Sequence, residues 1–290
     1  MSVGADPFRL RAFGLSDIGR VRETNEDAFS VQEQPGLFIV SDGMGGVRAG
    51  ALASTMTVQA LPVQFSEERL PHKVGRGIVA QVAVANGFVR SIGRVNEILL
   101  DKTREHPQVK GLGATVVAGL WLGNGTLFLA NLGDSRAYLM RRGVLERLTK
   151  DHTVAEMLFQ TGRINRRQLR RHPARQVLTR HMGMENCPAA DTGLLPLHPG
   201  DRILLCTDGL TGMIKDREIG NILWETTDRQ AACRLLIDRA KEAGGRDNVT
   251  AVILDVGEPQ GRRGHRRQKV VIRRAIGRSL VSPHYDQNRI

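Results

Sequence analysis

The stretch Leu37-Phe38-Ile39-Val40-Ser41-Asp42-Gly43-Met44-Gly45-Gly46 runs an apolar segment of strand character into a carboxylate and then into glycines that permit a sharp turn. A carboxylate at the mouth of a buried strand is costly unless its charge is compensated, and a divalent cation is one such compensation. The same arrangement returns in Ile203-Leu204-Leu205-Cys206-Thr207-Asp208-Gly209. Asp-Gly is also a common turn dipeptide, so neither copy decides by itself. Two strands that each deliver Asp-Gly to one edge are able to share an ion.

Outward from Asp42, residues 8–14 alternate apolar and polar and predict a first strand, Ala28 to Val31 a second, with a polar loop over residues 17–27 between them. Ala49 to Leu61 predicts a helix closed by Pro62. From Val74 to Leu100 the positions Ile78, Val82, Ala85, Val89, Ile92 and Leu99 recur mostly at three- and four-residue spacing, the period of an amphipathic helix. Gly111 to Leu120, Thr126 to Leu132 and Ala137 to Arg141 predict three strands, with Asn124-Gly125 and Arg142-Gly143 where tight hairpin turns belong. That is an antiparallel meander, which argues for an α+β fold and against a parallel dinucleotide-binding sheet. Helices are expected over Val154 to Gln160, Lys215 to Trp224 and Arg229 to Ala243, and a last strand over Asn248 to Val256.

Charge is unevenly distributed. The chain of 290 residues carries a formal net charge of +12, yet residues 261–290 hold nine Lys and Arg against Asp286 alone, a net of +8. The basicity is therefore chiefly that of a C-terminal tail, residues 258–290, read as flexible and as a contact for an anionic partner. Its apolar island, Val270-Val271-Ile272 with Ala275-Ile276, is read as disorder or a short helix formed on binding. Arg163, Arg166, Arg167, Arg170, Arg171 and Arg175 mark residues 149–183 as an exposed flap beside the body, which spans residues 8–257. Three widely spaced cysteines fit a reducing compartment. No apolar run approaches the roughly 18 residues of a membrane span, and Met1 to Asp6 has no signal-peptide core. A cytoplasmic monomer is expected.

Acids stand beside glycines or in turns next to apolar strands at Glu26 and Asp27, Asp42, Asp134, Asp208 and Asp247. Oxygen ligands of this kind suit hard ions such as Mg2+ and Mn2+, and no histidine or cysteine cluster competes for a softer one. Two such ions close together activate a water for in-line displacement at phosphorus. Phosphoester hydrolysis is the chemistry these residues suggest.

The chain resembles the metal-dependent protein serine/threonine phosphatases, the PPM or protein phosphatase 2C-like family, in its compact bacterial form. The resemblance is carried by Asp17-Ile18-Gly19, Arg22-Glu23-Thr24-Asn25-Glu26-Asp27, Ser41-Asp42-Gly43-Met44-Gly45-Gly46, Gly111-Leu112-Gly113-Ala114-Thr115, Asn131-Leu132-Gly133-Asp134-Ser135-Arg136, Leu148-Thr149-Lys150-Asp151-His152, Thr207-Asp208-Gly209-Leu210 and Asp247-Asn248-Val249-Thr250. It implies a four-layer α-β-β-α sandwich of two antiparallel sheets flanked by helices, with a binuclear site at one end. On that resemblance Asp42 bridges two ions, Asp208 and Asp247 complete one, the Gly43 carbonyl serves the other, and Glu26 reaches it directly or through water. Asp27 orients metal-bound water, Asp134 with Asp208 holds a weaker third ion, and Arg22 binds the phosphate. The implied reaction is hydrolysis of phosphoserine or phosphothreonine in proteins, substrates of a serine/threonine kinase, with two Mn2+ or Mg2+ ions and no phosphoenzyme. Ala51 and Arg48 depart from the bacterial pattern without touching these positions.

Two other functions fit less of the chain. A regulatory phosphoprotein-binding module recruited through the tail would be expected to have lost metal ligands, and none is lost. A partner-switching phosphatase acting on an anti-sigma antagonist would usually carry a sensor domain. Asp151-His152 suggests an acid pair, and histidine as a residue type suits proton transfer, but anchoring the flap or capping a helix is the simpler reading. Cys206, on a buried strand, reads as a core thiol.

Overall fold

The computed structural model describes residues 8–46, 49–68, 78–123, 125–187, 189–257 and 270–274. Its strands are β1 (Leu10–Asp17), β2 (Asp27–Gln32), β3 (Leu37–Met44), β4 (Gly113–Ala114), β5 (Val116–Gly123), β6 (Thr126–Leu132), β7 (Arg136–Arg141), β8 (Val144–Arg147), β9 (Asp191–Pro196), β10 (Arg202–Cys206), β11 (Val249–Val256) and β12 (Val271–Arg274). The helices are α1 (Ala49–Glu67), α2 (Ile78–Glu105), α3 (Val154–Gln160), α4 (Arg166–Leu169), α5 (Asp208–Thr211), α6 (Asp216–Glu225) and α7 (Arg229–Glu242).

One sheet runs β1-β11-β10-β7-β8-β12 and the other β2-β3-β5-β6-β9, with β4 paired to β3. Central strands read as unbroken apolar runs because both of their faces are covered. Along β3, Phe38 and Val40 enter the core between the sheets while Leu37 and Ile39 face the layer containing α1 and α2. Along β10, Ile203 and Leu205 face the inter-sheet core while Leu204 and Cys206 meet α6 and α7. Period-two alternation thus fills three stacked cores, and the four-layer sandwich follows.

The structure also departs from sequence expectation. Pro62 lies inside α1 and does not close it. The ring removes one helix bond, but Val58 and Leu61 are buried before it and Phe65 packs after it, edge-on to Phe88, so tertiary packing carries the helix through. The buried stripe of α2 is Val84, Phe88, Ile92, Val95 and Leu99, leaving Val82 and Val89 exposed at the edge of the expected face. Strand β9 was not foreseen. Its Asp-Thr-Gly-Leu-Leu-Pro sequence lacks alternation, and it succeeds as an edge strand, where proline is tolerated. Asp208 opens the short helix α5 rather than a simple turn. The Arg142-Gly143 turn forms as expected, with both residues at positive φ.

Periodic structure does not end at residue 257. Strand β12 lies parallel to β8, with Ile272 opposite Leu145, and the Val271 amide donates to the Gly143 carbonyl at 3.1 Å. Val270 and Ile272 pack on the core beneath α6 and α7, so the described part of the apolar island, residues 270–272, covers a sheet edge as a strand. The remainder of the tail, Arg48 and Asn124 fall outside the described residues. Ending the protein at Gly257 removes two half-buried aliphatic side chains, worth about 2 kcal/mol together. Scanning calorimetry should find Tm lower by roughly 4–8 °C; an unchanged Tm would show that the strand contributes nothing.

Candidate metal centre

The acids converge where the ends of the two sheets meet. Asp27 opens β2 directly opposite Asp42 on β3. From the other sheet come Asp208, just past β10, and Asp247, just before β11. Asp134 sits in the turn between β6 and β7. The sheets are tied at this point by the Thr207 and Thr250 hydroxyls, each donating to Asp27 Oδ2 at 2.8 Å. Thr115 brackets Asp42, its amide donating to the Asp42 carbonyl at 2.8 Å and its Oγ1 accepting the Asp42 amide at 2.9 Å. The Asn248 Oδ1 accepts the Glu26 amide at 2.8 Å and its Nδ2 donates to Ile18 and Thr24 carbonyls, so the residue leading into β11 holds the 17–27 loop in place. Gly43 donates to the Glu26 carbonyl at 3.0 Å, and a Cβ there would collide with the Gly50 carbonyl. Only glycine lets α1 approach the end of β3 this closely.

The electrostatics are those of crowded acids. Burial, then the charges of Asp27, Asp208, Asp134 and Asp247, push the Asp42 carboxyl well above its ordinary range. Burial and neighbouring acids likewise raise Asp134 and Asp208, and Asp42 stands within hydrogen-bonding reach of the Asp208 carboxyl. Glu26 is raised by burial against the opposing pull of Arg22. Asp27 is pushed up to about 7, chiefly by burial, although two threonine hydroxyls favour its charge. Its Oδ1 is buried with no hydrogen-bond partner.

The residues fit a hard cation on these grounds. Several buried carboxylates that raise one another's pKa, with an orphaned oxygen among them, form an oxygen-rich site lacking its compensating charge. Among the described residues no three acidic, histidine or cysteine side chains form a ligand group as they stand, so the fit rests on charge and burial rather than on ligand distances. Arg22, 47% exposed at its side chain, forks onto Asp247 through Nε and Nη2, each at 2.9 Å. From the flap, Gln176 reaches Asp208 Oδ2 at 3.4 Å.

Comparison with known proteins gives the family. The family model described as protein phosphatase 2C matches residues 19–242. The chain belongs to the protein phosphatase 2C family. It is 32% identical over 243 residues to the serine/threonine phosphatase stp of Listeria monocytogenes, covering 83% of this chain and 93% of that one. It is 36% identical over 248 residues to the serine/threonine protein phosphatase PstP of Mycobacterium tuberculosis, covering 85% of this chain and 45% of PstP. Among solved structures, the S. agalactiae serine/threonine phosphatase superposes with a TM-score of 0.77 at 29% identity, covering 85% of this chain and 99% of that one. The catalytic domain of PstP in complex with two manganese ions superposes at 0.69 with 32% identity, covering 85% and 98%. This phosphatase is therefore a protein serine/threonine phosphatase, and its substrates are phosphoproteins. Among the described residues no helix is long and apolar enough to cross a membrane.

The phosphatase fold gathers every acid singled out from the sequence: Glu26, Asp27, Asp42, Asp134, Asp208 and Asp247, with Arg22 beside them. Sequence reasoning gave no role to Thr115, Thr207, Thr250 or Gln176. The threonines stand within or beside the quoted motifs, one residue before Asp208 and three after Asp247, and that adjacency was the available signal. Cys206 is a core thiol, pushed up to about 12 by burial. His152 accepts the Gly133 amide at Nδ1, one residue before Asp134, and joins the flap base to that turn.

The raised Asp27 value implies a pH effect. The carboxyl is held neutral in the fold up to about 7 but ionises near its ordinary 3.8 when unfolded, so stability falls as pH rises between these values. In chelator-treated protein, Asp27→Asn should match wild type near pH 4 and exceed it above pH 7 by on the order of 4 kcal/mol. Urea unfolding at both pH values measures the gap, and equal stability at pH 8 would contradict the assignment.

Proposed function

We propose that this phosphatase hydrolyses phosphoserine and phosphothreonine directly with water at a binuclear Mn2+ or Mg2+ centre, without a phosphoenzyme. The observation that carries the reading is the set of buried carboxylates from both sheets that raise one another's pKa around the orphaned Asp27 oxygen. Asp42, central to that set, would lie between the two ions. Asp208 and Asp247 would complete one ion's ligands, and the Gly43 carbonyl with Glu26 would serve the other. Asp134 with Asp208 would take a weaker third. Such ions supply an activated water and neutralise the phosphoryl oxygens.

The chain's own groups do the rest. Arg22 already holds a carboxylate with its planar fork, and the same fork suits two oxygens of a phosphate dianion. Asp27, fixed by Thr207 and Thr250, presents its free oxygen to orient the attacking water. Water as the nucleophile is favoured because the thiol two residues before Asp208, Cys206, faces the core beneath α6 and α7 and is held protonated by burial. We take residues 8–257 as the catalytic unit, with residues 149–183 as its flap, β12 attached to it, and the basic tail directed to an anionic partner. We expect a cytoplasmic monomer acting on kinase products.

Asp208→Asn should lower manganese-dependent hydrolysis of p-nitrophenyl phosphate by orders of magnitude while circular dichroism stays unchanged; near-wild-type turnover would refute the centre. Arg22→Ala should reduce kcat/KM roughly 10- to 100-fold, the worth of a charged hydrogen-bond pair, mainly through KM. A loss confined to kcat would place Arg22 elsewhere.

A further inference from the structure

His152 is 3% exposed and lies at the base of the flap, distant in sequence from the turn it contacts. Its backbone amide donates to the Gly133 carbonyl at 3.0 Å, and its Nδ1 accepts the Gly133 amide at 3.0 Å. An Nδ1 that accepts carries no proton, so the neutral ring is protonated at Nε2. That nitrogen stands 3.2 Å from Asp191 Oδ2, short of an aligned hydrogen bond, and Asp191 is itself held by Arg180 at 2.9 Å. The His152 carbonyl accepts the Thr179 amide at 2.8 Å, joining the two ends of the flap.

The turn held in this way is unusual for its backbone. Gly133 has φ of +112°, and a Cβ would press on the Thr115 side chain. On that side Thr115 Oγ1 contacts Ser135 Oγ at 2.7 Å and the Asp42 amide at 2.9 Å. The turn presenting Asp134 is thus gripped by Thr115 on one flank and by the imidazole on the other.

We propose that His152 is a positioning residue whose Nδ1 fixes the Gly133-Asp134 turn, so that the base of the flap sets where the Asp134 carboxylate stands for a cation. The cation step rests on the reading of Asp134 given above. Mere packing would need only the volume of the ring, whereas this role needs an acceptor at the Nδ1 position. Asparagine supplies one there through Oδ1. Glutamine extends its amide toward the Nε2 position instead.

The test compares His152→Asn with His152→Gln, and with His152→Ala where it folds. In metal-free protein, backbone amide exchange at Gly133 should be about tenfold faster in the glutamine and alanine variants, the equivalent of one hydrogen bond, and near wild type in the asparagine variant. Manganese titration followed by the EPR signal of free Mn2+ should show the weakest site loosened about tenfold or more in the glutamine and alanine variants and near wild type in the asparagine variant. Equal exchange in the asparagine and glutamine variants overturns the proposal, as does faster exchange with the weak site unchanged while Asp134→Ala abolishes it. If Asp134→Ala leaves the titration unaltered, the cation reading of Asp134 fails by itself. The positioning role then stands or falls on the exchange difference alone.

Discussion

Everything at the working end of this protein depends on the repulsion among carboxylates buried at the junction of two sheets. Left in water, each would ionise near its usual pKa at no cost. Here burial and mutual charge push four aspartates upward, Asp27 to about 7. A fold tolerates such a cluster only if other interactions hold it and if protons or a cation offset the charge. The sandwich meets the first requirement: three apolar cores stack behind the acids, and the acids sit at strand ends and in short turns. The second requirement links stability to the phosphatase reaction, because the charge arrangement that opposes folding is the one that suits hard divalent ions.

Apart from the Arg22 fork on Asp247, the contacts that hold the cluster come from small polar side chains. Thr207 and Thr250 satisfy one oxygen of Asp27 and leave the other free, while Asn248 and Thr115 fix backbones. Arg136, half-buried two residues beyond Asp134, is itself engaged by Asp151 through a two-point contact, and Arg147 joins the same carboxylate. Its charge is therefore largely spent on the flap base. His152 ties the Asp134 turn to the flap through two bonds to Gly133, and Asp151 adds its two-point contact with Arg136 at the start of β7.

At the opposite flank, β12 extends a sheet beyond the residues matched by the family model. A parallel strand delivered from the C-terminal side shields β8, whose other neighbour is β7. An apolar island between arginines carries too little periodicity to be recognised as a strand. Its partner strand and the exposed core beneath α6 are absent from any local window.

The sequence by itself determined the antiparallel α+β class, most strand and helix positions and the identity of the acids, because apolar runs ending in Asp-Gly and tight-turn dipeptides are local signals. It also settled that Gly43 and Gly133 must be glycine only insofar as they flank these acids. The close approach of Gly50 to one and of Thr115 to the other is a tertiary fact. So are the passage of α1 through Pro62, the rotation of the α2 stripe and the pairing of β9 and β12, since each was decided by surfaces remote in sequence. Which oxygen of Asp27 stays unpaired, and which nitrogen of His152 accepts, are properties of atoms brought together from five or more segments. Only the folded chain determines them, because hydrogen-bond direction depends on where the partner stands and not on which residue it is.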